Sequence, residues 1–362
     1  MAIEKEAPEE MGAVIRYNLS ESAVADRTLA DLGISIPADL VLTYTEHQGS
    51  SQIRRSVAEA CGLTPDDILV TAGASTALFI VATTILGPDD HLVVTRPNYA
   101  TSLETPRAIG CSISYIDLEF EKDFRLDLDQ LAAAIKPSTK LISVCSPNNP
   151  AGTMLDASEL KALADLAQSR GCYLLVDETY ADLIHSENPP PAAASLGDHV
   201  IGTSSMSKAY GVPGIRIGWL STKNPILQES FLAAKEQISI SGSVLDELVA
   251  EKILSRRTEL LSATKKDMLA RLSHLQAWAK KEEEHVEFVS PSAGVMVFVH
   301  IKREPAGGIE AFYKRLIEHG AYVGPGRWFE RPDSFFRLGY AWPTMEDLDA
   351  GLQAISKALR GE

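Results

Sequence analysis

The chain has 362 residues, 45% of them hydrophobic, 23% charged and 7% aromatic, enough to bury one large core and a smaller one. Its 34 Lys and Arg stand against 49 Asp and Glu, a net charge of -15, which argues against a nucleic-acid partner because phosphate backbones need a basic face. No window nears eighteen uninterrupted apolar residues, so no membrane-spanning helix is expected. The acidic residues 1–10 carry no secretory signal. Cys61, Cys111, Cys145 and Cys172 are scattered in apolar surroundings. They read as buried thiols of a cytoplasmic protein, with no metal site or disulfide framework.

Along the chain, short apolar, β-branched runs alternate with stretches of helical period. The runs predict strands at 68–71, 91–95, 112–116, 141–145, 173–177, 200–203 and 215–220. Helices are predicted at 75–86, 128–135 and 157–168. Strands apolar on both faces, alternating with helices, predict an α/β unit with a largely parallel sheet covered on each side. The residues 189–191, all proline, mark a surface loop. From 243 to 281 the pattern is helical almost throughout, and the charge run 280–285 reads as a solvated helix end. A second, α+β unit follows, with strands near 286–289, 295–300, 322–323 and 335–340 and helices at 308–319 and from 345.

Ligands of such sheets sit off the carboxyl ends of strands, so the polar residues there are the candidates. After the first strand, Gly73-Ala74-Ser75 opens a helix whose free N–H groups suit a phosphate; Ser75 serves equally well as a helix cap. After the second, Tyr99 of Arg96-Pro97-Asn98-Tyr99 offers a ring to stack on a planar heterocycle, or packs as a loop residue. Asn149, in Ser146-Pro147-Asn148-Asn149-Pro150, can donate to a phenolate oxygen or simply start a turn. Asp177 ends the most apolar strand, where a carboxylate is costly without a cation such as a protonated pyridine nitrogen, and Tyr180 follows three residues on. Ser205-Met206-Ser207-Lys208 then leads through glycines to Arg216. That order suits a lysine forming a Schiff base with a phosphate-bearing aldehyde, the serines and the guanidinium holding the phosphate.

Together these residues resemble the pyridoxal-phosphate aminotransferases of fold type I, the class I/II group. The likeness spans nearly the whole chain, from Asn18-Leu19-Ser20 and 44–49 through Asn149, Asp177, Tyr180, Lys208 and Arg216 to Arg337. It implies the fold type I architecture: an N-terminal arm (1–19) packed on the small domain, a large domain (20–255) with a seven-stranded sheet, and a smaller α+β domain (256–362). It implies pyridoxal 5'-phosphate as cofactor, with Lys208, Asp177 and Tyr180 catalytic. Gly73, Ala74, Ser75, Tyr99, Asn149, Ser205, Ser207 and Arg216 would complete the cofactor site, and no metal is implied. Tyr44 would reach the phosphate of a neighbouring subunit, making a homodimer with shared sites. Arg337 would clamp the α-carboxylate of an amino acid, with Asn149, Glu21 and His47 also at the substrate.

Abstraction of the Cα proton by Lys208 makes transamination the leading reaction, with elimination or cyclisation from the same step as the alternative. The segments 207–216, and 323–329 through 337–339 to 351–355, are also similar to capreomycidine synthase, a family that eliminates the hydroxyl of a hydroxyarginine and closes a guanidine ring. Glu9, Glu10, Glu21, Glu46 and His47 fall where this fold borders the substrate side chain, and their acids suit a cationic group; solvated surface glutamates are the plainer alternative. No second arginine stands out for a dicarboxylic substrate, Arg54 and Arg327 being the remaining candidates, so aspartate specificity is not expected. A third reading, a non-catalytic cofactor-sensing module, would bring a DNA-binding helical unit and a basic surface, and neither is visible.

Overall fold

The structure is a computed structural model that describes residues 15–362. Glu9 and Glu10, expected near the substrate, lie outside the described residues. The described chain opens on a two-residue strand, β1 (Tyr17–Asn18), then runs without regular structure to α1 (Ser51–Cys61), whose N-cap Ser50 accepts from the N–H groups of Gln52 and Ile53. Alternation then begins: β2 (Ile68–Thr71), α2 (Gly73–Ile85), β3 (His91–Arg96), α3 (Ala100–Ile109), β4 (Ser112–Asp117), α4 (Leu128–Ala134), β5 (Thr139–Cys145), α5 (Ala157–Ser169), β6 (Tyr173–Asp177), β7 (Val200–Ser205) and β8 (Gly218–Ser221). A capping box, with Asp156 and Glu159 each bonding the other's backbone N–H, starts α5.

The seven strands from β2 to β8 form one sheet in the order β2-β8-β7-β6-β5-β3-β4. Pairing is parallel from β4 through β7, and β8 runs antiparallel to both of its neighbours. The expected strand 215–220 is therefore shorter at its start. Pro213 and Gly214 turn the chain, and Ile217 gives its carbonyl to the Met206 N–H, which leaves residues 215–217 beside the end of β7 without joining the ladder.

The helical stretch 243–281 is two helices. After α6 (Pro225–Ser239), α7 (Val244–Leu254) and α8 (Arg257–Lys281) part at Ser255 and Arg256. There the Arg256 guanidinium donates to the Leu32 carbonyl while Arg257 pairs with Asp182, so consecutive arginines are drawn to different neighbours. The remaining elements are β9 (Val286–Phe288), β10 (Met296–Ile301), α9 (Ile309–Glu318), β11 (Ala321–Tyr322), β12 (Gly324–Pro325), β13 (Phe335–Gly339) and α10 (Met345–Arg360). Four of these strands make an antiparallel sheet ordered β12-β13-β10-β9, and β11 takes β1 as a parallel partner. The charge run 280–285 is not wholly a solvated end: Glu282 is buried and pairs with Arg360 at 2.5 Å.

One apolar cluster joins the two sheets, running from Leu19 and Tyr180 through Met206 and Tyr210 to Val297 and Leu338. No helix among the described residues is long and apolar enough to cross a membrane.

Candidate active site

Parallel register decides which residues meet. Cys145 lies beside Asp177, Asp177 beside Thr203, and Gly218 between Ser205 and Thr71. The carboxyl ends of β2, β5, β6 and β7 thus share one edge, and the loops that leave them converge.

At one side of that edge stands an arginine in a glycine cradle. Gly73 has φ +80°, and a Cβ there would lie 2.5 Å from Arg216 Nη2. A Cβ on Gly218 would press into Gly73 and into the Ala74 N–H at 2.6 Å. Only glycine at both positions lets the start of α2 and the arginine approach so closely. Arg216 Nη1 donates to Ser207 Oγ at 3.3 Å and to the Pro213 carbonyl at 2.7 Å. Ser75 is not a helix cap, since the cap position is Ala72 and no side chain bonds there. Its hydroxyl instead meets the Tyr99 hydroxyl at 3.1 Å. Ser205 is buried at the end of β7. Unpaired first-turn N–H groups, hydroxyls and a guanidinium make a donor-rich site fit for a phosphate.

Asp177 is buried, and its Oδ1 accepts from the Thr179 N–H at 3.0 Å and from Thr179 Oγ1 at 2.6 Å. Burial still pushes its carboxyl up from the ordinary range, outweighing those two bonds. A cationic group facing it would offset that cost.

Lys208 and Tyr180 meet at a residue that the sequence reading missed. Lys208 Nζ donates to Ser22 Oγ at 3.3 Å, and the Tyr180 hydroxyl donates to the Ser22 carbonyl at 3.1 Å. Burial pushes the Tyr180 phenol up. Ser22 lies in an irregular segment, 19–24, with no periodicity to single it out. Tertiary contacts hold this segment down: Gly339 donates to the Leu19 carbonyl at 2.8 Å, and Val24 donates to the Lys208 carbonyl at 3.0 Å. A Cβ on Gly339 would lie 1.7 Å from the Glu21 carbonyl oxygen. Arg337 reaches the same segment, with Nη2 donating to the Ser20 carbonyl at 2.7 Å and Nη1 to Asn149 Oδ1 at 3.1 Å.

Desolvation, reinforced by the charge of Arg337, lowers Lys208 to about 8, and Glu21 pulls the other way. An amine so placed is half neutral near pH 8, whereas an exposed lysine is almost wholly charged there. The rate at which cofactor-free protein captures pyridoxal phosphate is expected to rise about tenfold per pH unit below that point and to level off above it. A stopped-flow pH series reads this, and a profile still climbing at pH 10 would refute the lowered value.

Not every expected residue joins this group. His47 is held elsewhere, its Nδ1 lying 2.5 Å from Glu236 Oε1 on α6, because the 45–50 segment is drawn onto α6 and α7. Glu46 accepts from the Ser51 N–H and from Arg54. Arg54 is thus engaged with Glu46, and Arg327 with Asp333. Tyr44 is 75% exposed and lies outside the protomer's own cluster. Glu21 is placed at the site, half-buried and acting on the Lys208 charge.

A family model described as Aminotransferase class I and II matches residues 38–355. The chain belongs to the class I and II aminotransferase family. This family member is 30% identical over 355 residues to capreomycidine synthase of Streptomyces vinaceus, covering 95% of this chain and 90% of that one. Among solved structures, it matches a PLP-dependent aminotransferase from Streptococcus suis with a TM-score of 0.88 at 30% identity, covering 96% and 94% of the two chains. It also matches the PLP-dependent cyclase OrfR with a TM-score of 0.86 at 28% identity, covering 99% and 98%. The protein is therefore a fold type I enzyme with pyridoxal 5'-phosphate as cofactor. The glycine cradle at Arg216 and the buried carboxylate of Asp177 are the features that such a phosphate-bearing, protonatable heterocycle fits.

Proposed function

We propose that this aminotransferase-family enzyme transaminates an amino acid, with Lys208 as base at the α-carbon and Arg337 as the carboxylate clamp. One observation carries the reading: Lys208 and Arg337 bond Ser22 and Ser20, two residues apart on one segment. The amine and the fork-shaped guanidinium are thereby drawn to one short segment, an arrangement that suits an amino acid's α-carbon and carboxylate. When bound, pyridoxal phosphate supplies an electron sink for negative charge at that carbon. Lys208 Nζ takes the departing proton, and a value near 8 suits a base at neutral pH. Asp177 would face the ring nitrogen, with Asn149 and Tyr180 at the ring oxygen and Tyr99 on the ring face. Gly73, Ala74, Ser75, Ser205, Ser207 and Arg216 would hold the phosphate.

A second reaction, elimination or cyclisation on a hydroxylated guanidino amino acid, is favoured by a separate observation. Glu21 acts on the charge of Lys208 and offers a carboxylate for a cationic side chain, and one of the matched structures is named a PLP-dependent cyclase. A single-turnover experiment decides between the two. Holoenzyme is mixed with the common L-amino acids and hydroxylated arginine, without keto acid. One keto acid released per site is the expected result; many turnovers with the cofactor spectrum restored mean elimination or cyclisation. No spectral response to any of them would overturn both readings.

Val41, Leu42 and Tyr44 are 72%, 75% and 75% exposed, an apolar run that soluble monomers rarely leave open. It supports a homodimer in which Tyr44 serves the partner's phosphate, and a sedimentation mass of one chain would remove that part. The break at Ser255–Arg256 and the β1–β11 pairing support an arm (1–19), a large domain (20–255) and a small domain (256–362). Unpaired, mostly buried thiols support a cytoplasmic setting.

A further inference from the structure

We infer that Glu330 is a positioning residue for substrate binding: it locks the turn that backs Arg337 to the sheet that carries the cofactor loops. The inference rests on the reading of Arg337 as the carboxylate clamp.

The first observation is backbone strain. Glu330 has φ +56° at the end of the turn Gly326–Phe329, a region where residues other than glycine are uncommon. Glycine would take this conformation at no steric cost. Such a conformation persists with a larger side chain when the surroundings over-determine it.

What holds it is a charge network between the two sheets. Glu330 Oε2 accepts from Arg96 Nη1 at 3.1 Å and from Arg107 Nη2 at 3.0 Å, while Oε1 pairs with Arg107 Nη1. Arg96 ends β3, Arg107 lies on α3, and both guanidinium groups stand over the Tyr115 ring, 4.5 and 5.3 Å from its centroid. Arg96 also grips Asp117 with two bonds of 2.8 and 2.9 Å. Arg331, next to Glu330, donates to Asp117 at 2.7 Å and to the Arg96 carbonyl at 2.8 Å. The side chains of Glu330, Arg96 and Arg107 are only 31%, 24% and 32% exposed. Their pairing is therefore screened less than that of a free surface pair, and its bidentate geometry and networking set it apart from an isolated one.

The network leads to the substrate end. Phe329, immediately before Glu330, is buried, packs on Phe298 at 5.6 Å, and lies under the Arg337 guanidinium at 5.1 Å. Gly324 and Pro325, just before the turn, pair with Arg337 and Phe336 on β13. On the other side, Arg96 opens the loop to Tyr99, which bonds Ser75 in the cradle. Glu330 thus joins the clamp on the four-stranded sheet to the loops of the seven-stranded one. A small misplacement of a clamp weakens its hold on the substrate steeply.

The test is a set of holoenzyme variants titrated with the panel of common L-amino acids and hydroxylated arginine, scored on whichever converts the wild type. Glu330→Gly relaxes the backbone but removes the pairing. It is expected to keep its cofactor affinity and a melting temperature within a few degrees of wild type, and kcat within about threefold, while KM rises on the order of tenfold. Were Glu330 only a turn residue, glycine would leave KM unchanged, and that result overturns the inference. A fall in kcat or cofactor affinity without a rise in KM overturns it as well. Should the glycine variant fail to fold, Glu330→Gln keeps the side-chain shape and is read by the same split. Arg337→Lys is run in parallel. If its KM is unchanged, the clamp reading falls and the inference with it. If it raises KM while neither Glu330 variant does, only the inference falls.

Discussion

Lys208→Ala is expected to lose turnover by about 10⁴-fold or more, together with the visible absorbance that covalently held cofactor gives the protein. In the proposed reading two functions meet in one atom. Nζ would be both the amine that holds the cofactor and the base that accepts the Cα proton, and it bonds the 20–22 segment on which Arg337 also converges. The substitution also removes a cation that burial and Arg337 disfavour, so the fold is expected to survive it. Melting temperature and cofactor binding by fluorescence separate loss of chemistry from loss of structure. A variant with full turnover would overturn the assignment of the site.

Asp177→Asn is expected to divide stability from activity. In the cofactor-free protein, burial raises the Asp177 carboxyl above its unfolded value of 3.8. The folded state therefore holds this proton more tightly than the unfolded chain does. The stability it contributes is complete below about pH 3.8 and is lost as pH rises through the folded value. At neutral pH the buried charge weighs against folding. Asparagine keeps an oxygen for the two Thr179 bonds and removes the charge, so the cofactor-free variant should melt at the wild-type temperature or above it. With cofactor the order reverses: in the proposed reading the ring nitrogen would lose its counter-charge, and kcat is expected to fall on the order of 10³-fold. Calorimetry of the cofactor-free pair, set beside kcat of the loaded pair, reads both halves. Unchanged kcat, or a cofactor-free variant destabilised by more than about 1 kcal/mol, would show that Asp177 serves the fold instead.

The sequence alone carried most of this. Strands apolar on both faces have few alternatives to a covered parallel sheet, and the polar residue ending each strand then has one place to be. Gly73, Asn149, Asp177, Ser205 and Lys208 were legible for that reason, because strand ends are local and the rule that aligns them is general. Arg216 followed from the glycines around it. The break at Ser255–Arg256 was not legible, since it depends on what two consecutive arginines find in Leu32 and Asp182, far away in sequence.

Only the tertiary structure decided the rest. Ser22 meets Lys208 and Tyr180 because Gly339 and Lys208 hold an irregular segment in place. His47 comes to rest against α6, where it finds Glu236. Glu330 reads as one more surface glutamate until its left-handed backbone and its two arginines are seen together. Periodicity records which face of an element is buried, so it determined the sheet and the edge at which the polar strand ends gather. It holds no record of where irregular segments come to rest, because those positions are set by long-range hydrogen bonds and ion pairs that form only in the folded chain.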